Sequence, residues 1–328
     1  MPRNHSISPS TVRLIVQAAF AVFCLYVGWR FWLFLSWASG ASEAFVPRPP
    51  AVEAFLPISA LLALKQLVTT GIWDSIHPAG LTILIAAMLI AFVARKGFCG
   101  YVCPVGLVSR LLAALGRKLD KHLYLPRPLH WVLTSIKYVL FAFFALSVLR
   151  MSPRGIQSFL QSNYNITADA RMLEFFLHPS STAVVVFAVL GLLGIVVPYF
   201  WCRYLCPYGA LLGLCSKFSP LAVTRDEDAC VDCGKCTRSC PGGIHVHTKR
   251  RVTSPECIGC MKCVDVCPVK DCLAPAAPGV GRVSPYLPVI LAVGVLLLLY
   301  GWAQYTGHWE IRAPSEMLKH FYSLALKG

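Results

Sequence analysis

Eight of the fifteen cysteines in this chain repeat one spacing. Cys230-x-x-Cys233-x-x-Cys236-x-x-x-Cys240-Pro241 is followed by Cys257-x-x-Cys260-x-x-Cys263-x-x-x-Cys267-Pro268. Three thiolates in such a run let a tight loop cap three corners of an iron–sulfur cubane. A fourth from elsewhere closes the cage, and the proline after it turns the chain away. Where two such runs occur together, the fourth cysteine of each ligates the other run's cluster. Cys230, Cys233, Cys236 and Cys267 are therefore expected to hold one [4Fe–4S] cluster, and Cys257, Cys260, Cys263 and Cys240 the second. Zinc sites use paired C-x-x-C units rather than triplets followed by C-P. A secreted disulfide framework is a poor fit to so apolar a chain.

Four more cysteines come as two copies of Cys-x-x-x-Cys-Pro-x-Gly: Cys99 and Cys103, then Cys202 and Cys206. Thiols at i and i+4 share one helix face, and the proline tends to loosen or end that helix. Such thiols could bind a metal, bind iron–sulfur or form redox-active disulfides. They could also simply pack two helix ends, since free cysteine is commonly buried. Duplication in register favours a redox or metal role. Upstream of each pair stands a His-Pro, His77-Pro78 and His178-Pro179. A haem, metal or quinone role for these histidines competes with an ordinary helix start. Cys24, Cys215 and Cys272 read as structural; Cys272 could shield a cluster but is not needed to complete either set of four. No general acid/base constellation or nucleophile motif is visible.

The elements that carry these residues are membrane-like. Of 328 residues, 56% are hydrophobic and 14% charged, far from soluble composition. Runs approaching the roughly 20 residues that span a bilayer are Leu14 to Trp29, Ser75 to Ala94, Trp131 to Leu149, Phe175 to Cys202 and Val283 to Trp309. Five helical spans are expected, with Lys137 in the third snorkelling to the interface. Ala54 to Leu64 is short, carries Pro57, and reads as an interfacial or re-entrant helix. The first span lacks a clear cleavage site and reads as an anchor. Lys and Arg concentrate in 1–13, 95–130 and 203–282 rather than in the alternating segments. The positive-inside rule then places the N-terminus and the cluster-bearing insert in the cytoplasm, and the C-terminus in the periplasm of a bacterial inner membrane. The net charge of +15 is explained by membrane flanks and anionic clusters, so no nucleic-acid partner is expected.

In order, the chain holds a parallel repeat of span, outer segment, His-Pro, span, Cys-x-x-x-Cys-Pro-x-Gly and an apolar stretch. Leu107, Leu111, Leu112 and Leu115 give the stretch after the first motif helical spacing. The repeat predicts that His77 and His178 face each other near the outer surface and that the cysteine pairs converge near the inner one. The expected organisation is a membrane domain at 1–219, a two-cluster ferredoxin domain at 220–275, and a fifth span with a periplasmic tail at 276–328. The fold class is an α-helical polytopic membrane protein with an inserted bacterial-type ferredoxin.

Arg95-Lys-Gly-Phe-Cys99-Gly-Tyr-Val-Cys103-Pro104-Val-Gly, Cys202-Arg-Tyr-Leu-Cys206-Pro207-Tyr-Gly-Ala and the two cluster runs resemble the membrane polyferredoxin family. That family includes NapH of periplasmic nitrate reduction, MauN, the membrane half of NosR and, more distantly, CcoG. The resemblance covers nearly the whole chain. It implies two [4Fe–4S] clusters on the cytoplasmic side and electron transfer between the quinone pool, or a cytoplasmic donor, and a periplasmic redox enzyme. The fifth span and tail exceed the NapH-like pattern of four spans. No outer flavin-binding domain is present, so a flavin or cytochrome would sit on a partner subunit. A bilayer core about 30 Å thick demands a relay beyond the two clusters: a quinone, a centre at the motif cysteines, or a partner's cofactor. The tail, with Trp302, Tyr305 and Trp309, is either a docking element or an aromatic belt. Two other function classes compete: a copper or iron reductase or respiratory-enzyme maturation factor using Cys99, Cys103, Cys202 and Cys206, and a structural subunit.

Overall fold

The computed structural model describes residues 7–121, 123 and 125–327. The expected cytoplasmic N-terminus begins in the segment 1–6, outside the described residues. The fold is mainly helical, with a four-stranded antiparallel sheet. Among the described residues three helices are long and apolar enough to cross a bilayer: Pro9–Ala38, Pro128–Arg150 and Leu287–Thr306. Ala168–Leu177 and Ser181–Val196 make a fourth crossing if taken as one span bent by 76°.

The sequence predicts five spans, and two of them differ in the structure. The expected run from Phe175 to Cys202 breaks at His178-Pro179, because proline removes an amide donor and biases its predecessor away from helix. The expected run from Ser75 to Ala94 loses its first residues to a loop and becomes Pro78–Ala94, 17 residues. At 1.5 Å per residue that helix is about 25 Å long, short of the bilayer core.

The chain divides into two compact units. The first comprises Met1–Ala21, Ala87–Phe141 and Val189–Leu296, and holds every cysteine of the sites above. Its sheet is ordered β2-β1-β3-β4, with β1 Ala222–Arg225, β2 Arg251–Val252, β3 Leu273–Ala277 and β4 Gly281–Arg282. β1 pairs antiparallel with β3, Ala222 opposite Ala276 and Arg225 opposite Leu273, which closes the ends of the cluster-bearing insert on each other. Beneath it Val223, Ile244, Val246, Val252, Met261 and Leu273 form a small apolar core against the cysteines. The helix Pro104–Lys118 buries Gly106, Ser109, Ala113 and Gly116. It leaves Leu111 and Leu115 exposed, an outward apolar stripe that suits a membrane surface.

The second unit comprises Val22–Ala86, Ala142–Ala188 and Leu297–Gly328. The short apolar segment is a helix, Pro57–Thr70, packed on Pro153–Leu160 through Leu62, Ala63, Ile156 and Leu160. The tail is folded: Ser315–Lys327 is a helix whose Tyr322 ring meets Phe34 edge-on at 5.0 Å, beside Phe31 and Trp37. Tyr305 is exposed.

A buried ion network occupies this unit. Arg48 lies 2.7 Å from Glu53 and 2.7 Å from Asp169, all with almost no solvent contact. The Tyr322 hydroxyl bonds the Asp169 carboxylate at 2.8 Å, and Glu53 also accepts from the Gly80 amide at 2.9 Å. His77 belongs to this network: Nε2 donates to the Asn165 carbonyl at 2.7 Å, and Nδ1 lies 3.3 Å from the Arg48 guanidinium. This corrects the expected facing pair. His178 is exposed and lies 3.6 Å from Glu174, one helical turn away, while His77 is enclosed with both ring nitrogens engaged. Pro78 starts the helix Pro78–Ala94, whereas His178 closes the helix Ala168–Leu177 and the next helix begins at Ser181; only the first half places buried charges beside its histidine.

Removing one member of a buried ion set leaves its partners desolvated and unpaired, at a cost of about 3–5 kcal/mol. Arg48→Met should therefore lower the thermal unfolding midpoint of the detergent-solubilised protein sharply. Burial opposes the charge on Glu53, yet Arg48 and then His77 hold its carboxyl below the ordinary value of 4.5. A depressed carboxyl stabilises above the unfolded-state pKa and loses that contribution as pH falls through the folded one. Stability should decline below about pH 4.5, and Glu53→Gln should flatten that decline; an unchanged acid profile in the variant would exclude Glu53 as its source.

Candidate functional site

Each cluster run folds the same way, and the backbone shows how. In the first, Asp232 (φ 46°) and Gly234 (φ 67°) flank Cys233; in the second, Gly259 (φ 62°) and Met261 (φ 54°) flank Cys260. Left-handed residues on both sides of the middle cysteine curl the loop into a cup whose amides can turn towards an anionic centre. Asp and Met take this conformation at a steric cost of roughly 1–2 kcal/mol each. A single turn of helix follows in both, Lys235–Arg238 and Lys262–Asp265.

Two hollows result. One is lined by Cys230, Cys233, Cys236 and Cys267 together with Cys272 and Arg225. The other is lined by Cys240, Cys257, Cys260 and Cys263 together with Glu256 and Met261. In each, three thiols come from one run and the fourth from the other, which is the exchange that two linked cubanes need. Four soft sulfur donors around each hollow suit an iron–sulfur cluster. Among the described residues no group of three or more His, Cys, Asp and Glu side chains is spaced to hold a single metal ion. Cys272, set aside from the sequence as structural, borders the first hollow beside Cys230 and Cys267.

The hollows differ in setting. Cys233 is exposed at the first. At the second, burial pushes the Cys240 thiol up to about 12, with Cys260 adding to it, and burial also raises Cys257 and Cys263. Displacing a proton from such thiols falls to whatever binds there.

The duplicated motifs also fold alike. A left-handed residue, Arg95 (φ 59°) or Tyr199 (φ 57°), breaks the helix upstream. A single π-helical turn follows, Phe98–Val102 or Trp201–Leu205. The second cysteine is then extended, and Pro104 or Pro207 starts the next helix. The four thiols gather. Burial raises Cys99 well above the ordinary range, with Cys103, Cys206 and Cys202 adding to it. Burial pushes Cys103 up to about 12, Cys202 and Cys206 contributing. The Ser109 hydroxyl lies 3.3 Å from the Cys202 sulfur, and the Gly209 amide donates to Cys206 at 3.3 Å.

Both motifs grip the second hollow. From the first, the Lys96 amide donates to the Cys257 carbonyl at 3.2 Å, and the Tyr101 hydroxyl donates to the Gly259 carbonyl at 2.7 Å. Gly100 carries no side chain because the Ile258 carbonyl occupies that space: a Cβ would meet it at 2.5 Å. Arg95 donates to the carbonyls of Ser216 (2.7 Å), Thr253 (3.3 Å) and Val252. From the second motif, the Arg203 guanidinium fills the space beside Gly243, just beyond Cys240.

Sequence reading missed the charged group between them. Glu256 precedes the first cysteine of the second run and pairs with Lys96 at 3.1 Å and with Lys137; Tyr138 donates to it at 2.9 Å. Burial works against its charge, yet Lys96 and then Lys137 hold the carboxyl down at about 2. Lys137 was expected to snorkel; its side chain is instead wholly buried in this pair. Its place in an otherwise uncharged span was the signal, because a charge there needs a partner.

This geometry can be tested at two positions. Gly100→Ala should displace the loop of the second run and lower the iron retained by the purified protein. Gly191→Ala, with open space at its Cβ, should leave iron content unchanged, and equal losses in both would contradict the close approach. Glu256→Ala strands two buried ammonium groups and should cost about 3–5 kcal/mol, read as a lowered unfolding midpoint that Lys137→Met partly restores.

Comparison with known proteins agrees with this partition. A family model described as a 4Fe-4S binding domain matches residues 76–122 and again 178–224, and one described as a 4Fe-4S dicluster domain matches 222–268. YccM of Escherichia coli (strain K12) is 36% identical over 327 residues, 97% of this chain and 92% of its own. The ferredoxin-type protein NapH of Haemophilus influenzae is 29% identical over 59% of this chain and 68% of its own. The methylamine utilization ferredoxin-type protein MauN of Methylorubrum extorquens is 31% identical over 56% of this chain and 61% of its own. No solved structure matches the chain.

Proposed function

We propose a function from one premise: the chain belongs to the NapH- and MauN-like family of ferredoxin-type membrane proteins. It is an iron–sulfur electron transport protein. Within that class, it passes electrons between the quinone pool, or a cytoplasmic donor, and a redox partner in the periplasm. Cys230, Cys233, Cys236 and Cys267 hold one [4Fe–4S] cluster, and Cys257, Cys260, Cys263 and Cys240 hold the other. When bound, these clusters supply one-electron carriers.

The observation that carries this reading is the asymmetry of the two hollows. The first has an exposed cysteine, Cys233, and accessible neighbours such as Val231, so a soluble donor can approach it. The second is enclosed by both Cys-x-x-x-Cys-Pro motifs at the ends of apolar helices. Electrons arriving at the first hollow from the cytoplasm pass to the second and then into the membrane part of the chain, or run the reverse course from quinol. The chain's own residues fix the order. Arg95, Lys96 and Tyr101 hold the second run against the membrane helices, while Cys233 and Val231 of the first run are exposed.

Anaerobically purified protein should contain about eight iron and eight labile sulfide from the ferredoxin insert, four per cubane. A membrane-soluble quinol, or a low-potential soluble donor, should alter the cluster EPR signals within one enzymatic turnover of the partner system. Reduction by neither would sink the electron-transfer reading. For topology, trypsin should cut the exposed Lys249–Arg251 stretch in inside-out vesicles and spare it in right-side-out ones; the opposite pattern excludes a cytoplasmic insert.

A further inference from the structure

We propose that Cys99, Cys103, Cys202 and Cys206 together hold a third iron–sulfur cluster, of the [4Fe–4S] class, adjoining the Cys240/Cys257/Cys260/Cys263 site. The inference rests on the reading that the eight ferredoxin cysteines bind clusters.

Four observations carry it. The first is the donor set: the two motifs come together, Ser109 on the helix that follows Cys103 standing 3.3 Å from the Cys202 sulfur, and each pair of thiols is presented by a π-helical turn and an extended Cys-Pro. That backbone includes a left-handed non-glycine residue in both halves, a cost of roughly 1–2 kcal/mol at each, and duplicated strain of this kind belongs with function. The second is charge. Lys96 and Lys137 stand beside these thiols with side chains 4% and 0% exposed, and both pair with the same carboxylate, Glu256. Two buried cations on one buried anion leave a positive excess, which is expensive away from water. A cubane held by four thiolates carries net negative charge, whereas four neutral thiols leave the excess unanswered.

The third is placement. From the Cys257 carbonyl, one hydrogen bond leads to the Lys96 amide, and the chain then runs through Gly97 and Phe98 to Cys99. Gly243, beyond Cys240, abuts Arg203 between Cys202 and Cys206. The candidate site is thus joined to the second hollow by a backbone hydrogen bond on one side and by the Arg203 side chain on the other. The fourth is that the family model matching each half, described as a 4Fe-4S binding domain, covers residues 76–122 and 178–224 and so includes these cysteines without either ferredoxin run. Here too, among the described residues, no three side chains converge on a single-ion position.

The step served is outer-sphere transfer of one electron, with no bond made or broken. The adjacent iron–sulfur site is one partner in the transfer, and a quinone or the redox centre of a membrane or periplasmic partner is the other, as donor or acceptor according to the direction of flow. Lys96 and Lys137 offset the charge that the electron adds.

The test uses the full chain, purified anaerobically, with iron and acid-labile sulfide counted beside Mössbauer and EPR spectra. About 12 iron atoms per chain are expected, four for each of three cubanes. Cys99→Ser with Cys202→Ser should remove about four of them while the spectra of the two ferredoxin clusters persist. Since that variant could fail to fold, the unaltered protein supplies a second readout. Residue-resolved alkylation should find the four motif cysteines protected until iron is chelated, and free afterwards. A count of about eight, with the motif cysteines alkylated at once, overturns the third cluster and leaves the two-cluster reading standing. A count well below eight removes the underlying reading instead. One zinc or copper per chain at these thiols, or a disulfide between them, also overturns the proposal.

Discussion

One buried carboxylate determines how the redox half of this chain is built. Glu256 pairs with both Lys96 and Lys137, each of which would otherwise be a lone cation without water. The three charges come from three separate stretches: the turn before the first cysteine motif, the long helix Pro128–Arg150, and the residue before Cys257. None can be placed without the others, because a buried charge pair is tolerable only when its geometry and remaining hydrogen bonds are complete. Tyr138 supplies one of those bonds. The interaction gives little net stability compared with an apolar contact of equal size, but it fixes position. It sets the second cysteine run against the membrane helices in one register.

The close backbone contacts are consequences of that register. Tyr101, the Lys96 amide and the absent side chain of Gly100 all bear on residues 257–259, so the loop that carries three thiols cannot drift from the helix end that carries two more. Electron transfer depends steeply on separation, and backbone packing is the means by which a chain holds separation constant. The second unit uses the same device for another purpose. Arg48 between Glu53 and Asp169 joins the connection after the first span, the short helices near residue 169 and, through Tyr322, the tail. There, among the described residues, the buried charges tie together irregular segments rather than a cysteine site.

Much of this is readable from residues alone, and for a physical reason. Cluster ligation demands thiols at fixed short spacings, so the motif is local, and the spacing of the eight cysteines by itself announces their grouping. Span composition is likewise local, which is why Pro9–Ala38, Pro128–Arg150 and Leu287–Thr306 fall where apolar runs predict them. What escapes is non-local. Glu256 sits 160 positions from Lys96, and no periodicity marks a lone Glu as the partner of two distant lysines. His77 and His178 look equivalent in sequence because each precedes a proline. Their difference lies in Arg48 and Glu53, which the second half of the repeat does not duplicate. The bend at His178-Pro179 is local and legible: an uninterrupted run of apolar residues outweighed a proline that should have divided it.

The repeat itself explains why the cysteine motifs and not the histidines carry the symmetry. Duplication preserves whatever both halves need together, and the proposed four-thiol centre would need two from each. Either half alone presents only a pair, which cannot complete the coordination of an iron–sulfur cage. Both copies therefore keep the left-handed break, the π-helical turn and the Cys-Pro helix start, although these features are costly one by one. The contacts outside the thiols are free to diverge. The position after Cys99 is Gly100, emptied to admit the Ile258 carbonyl, while the position after Cys202 is Arg203, enlarged to reach Gly243. One motif admits the insert's backbone and the other reaches out to it. A symmetric pair of helix ends is thereby fitted to an insert whose two runs present unequal surfaces.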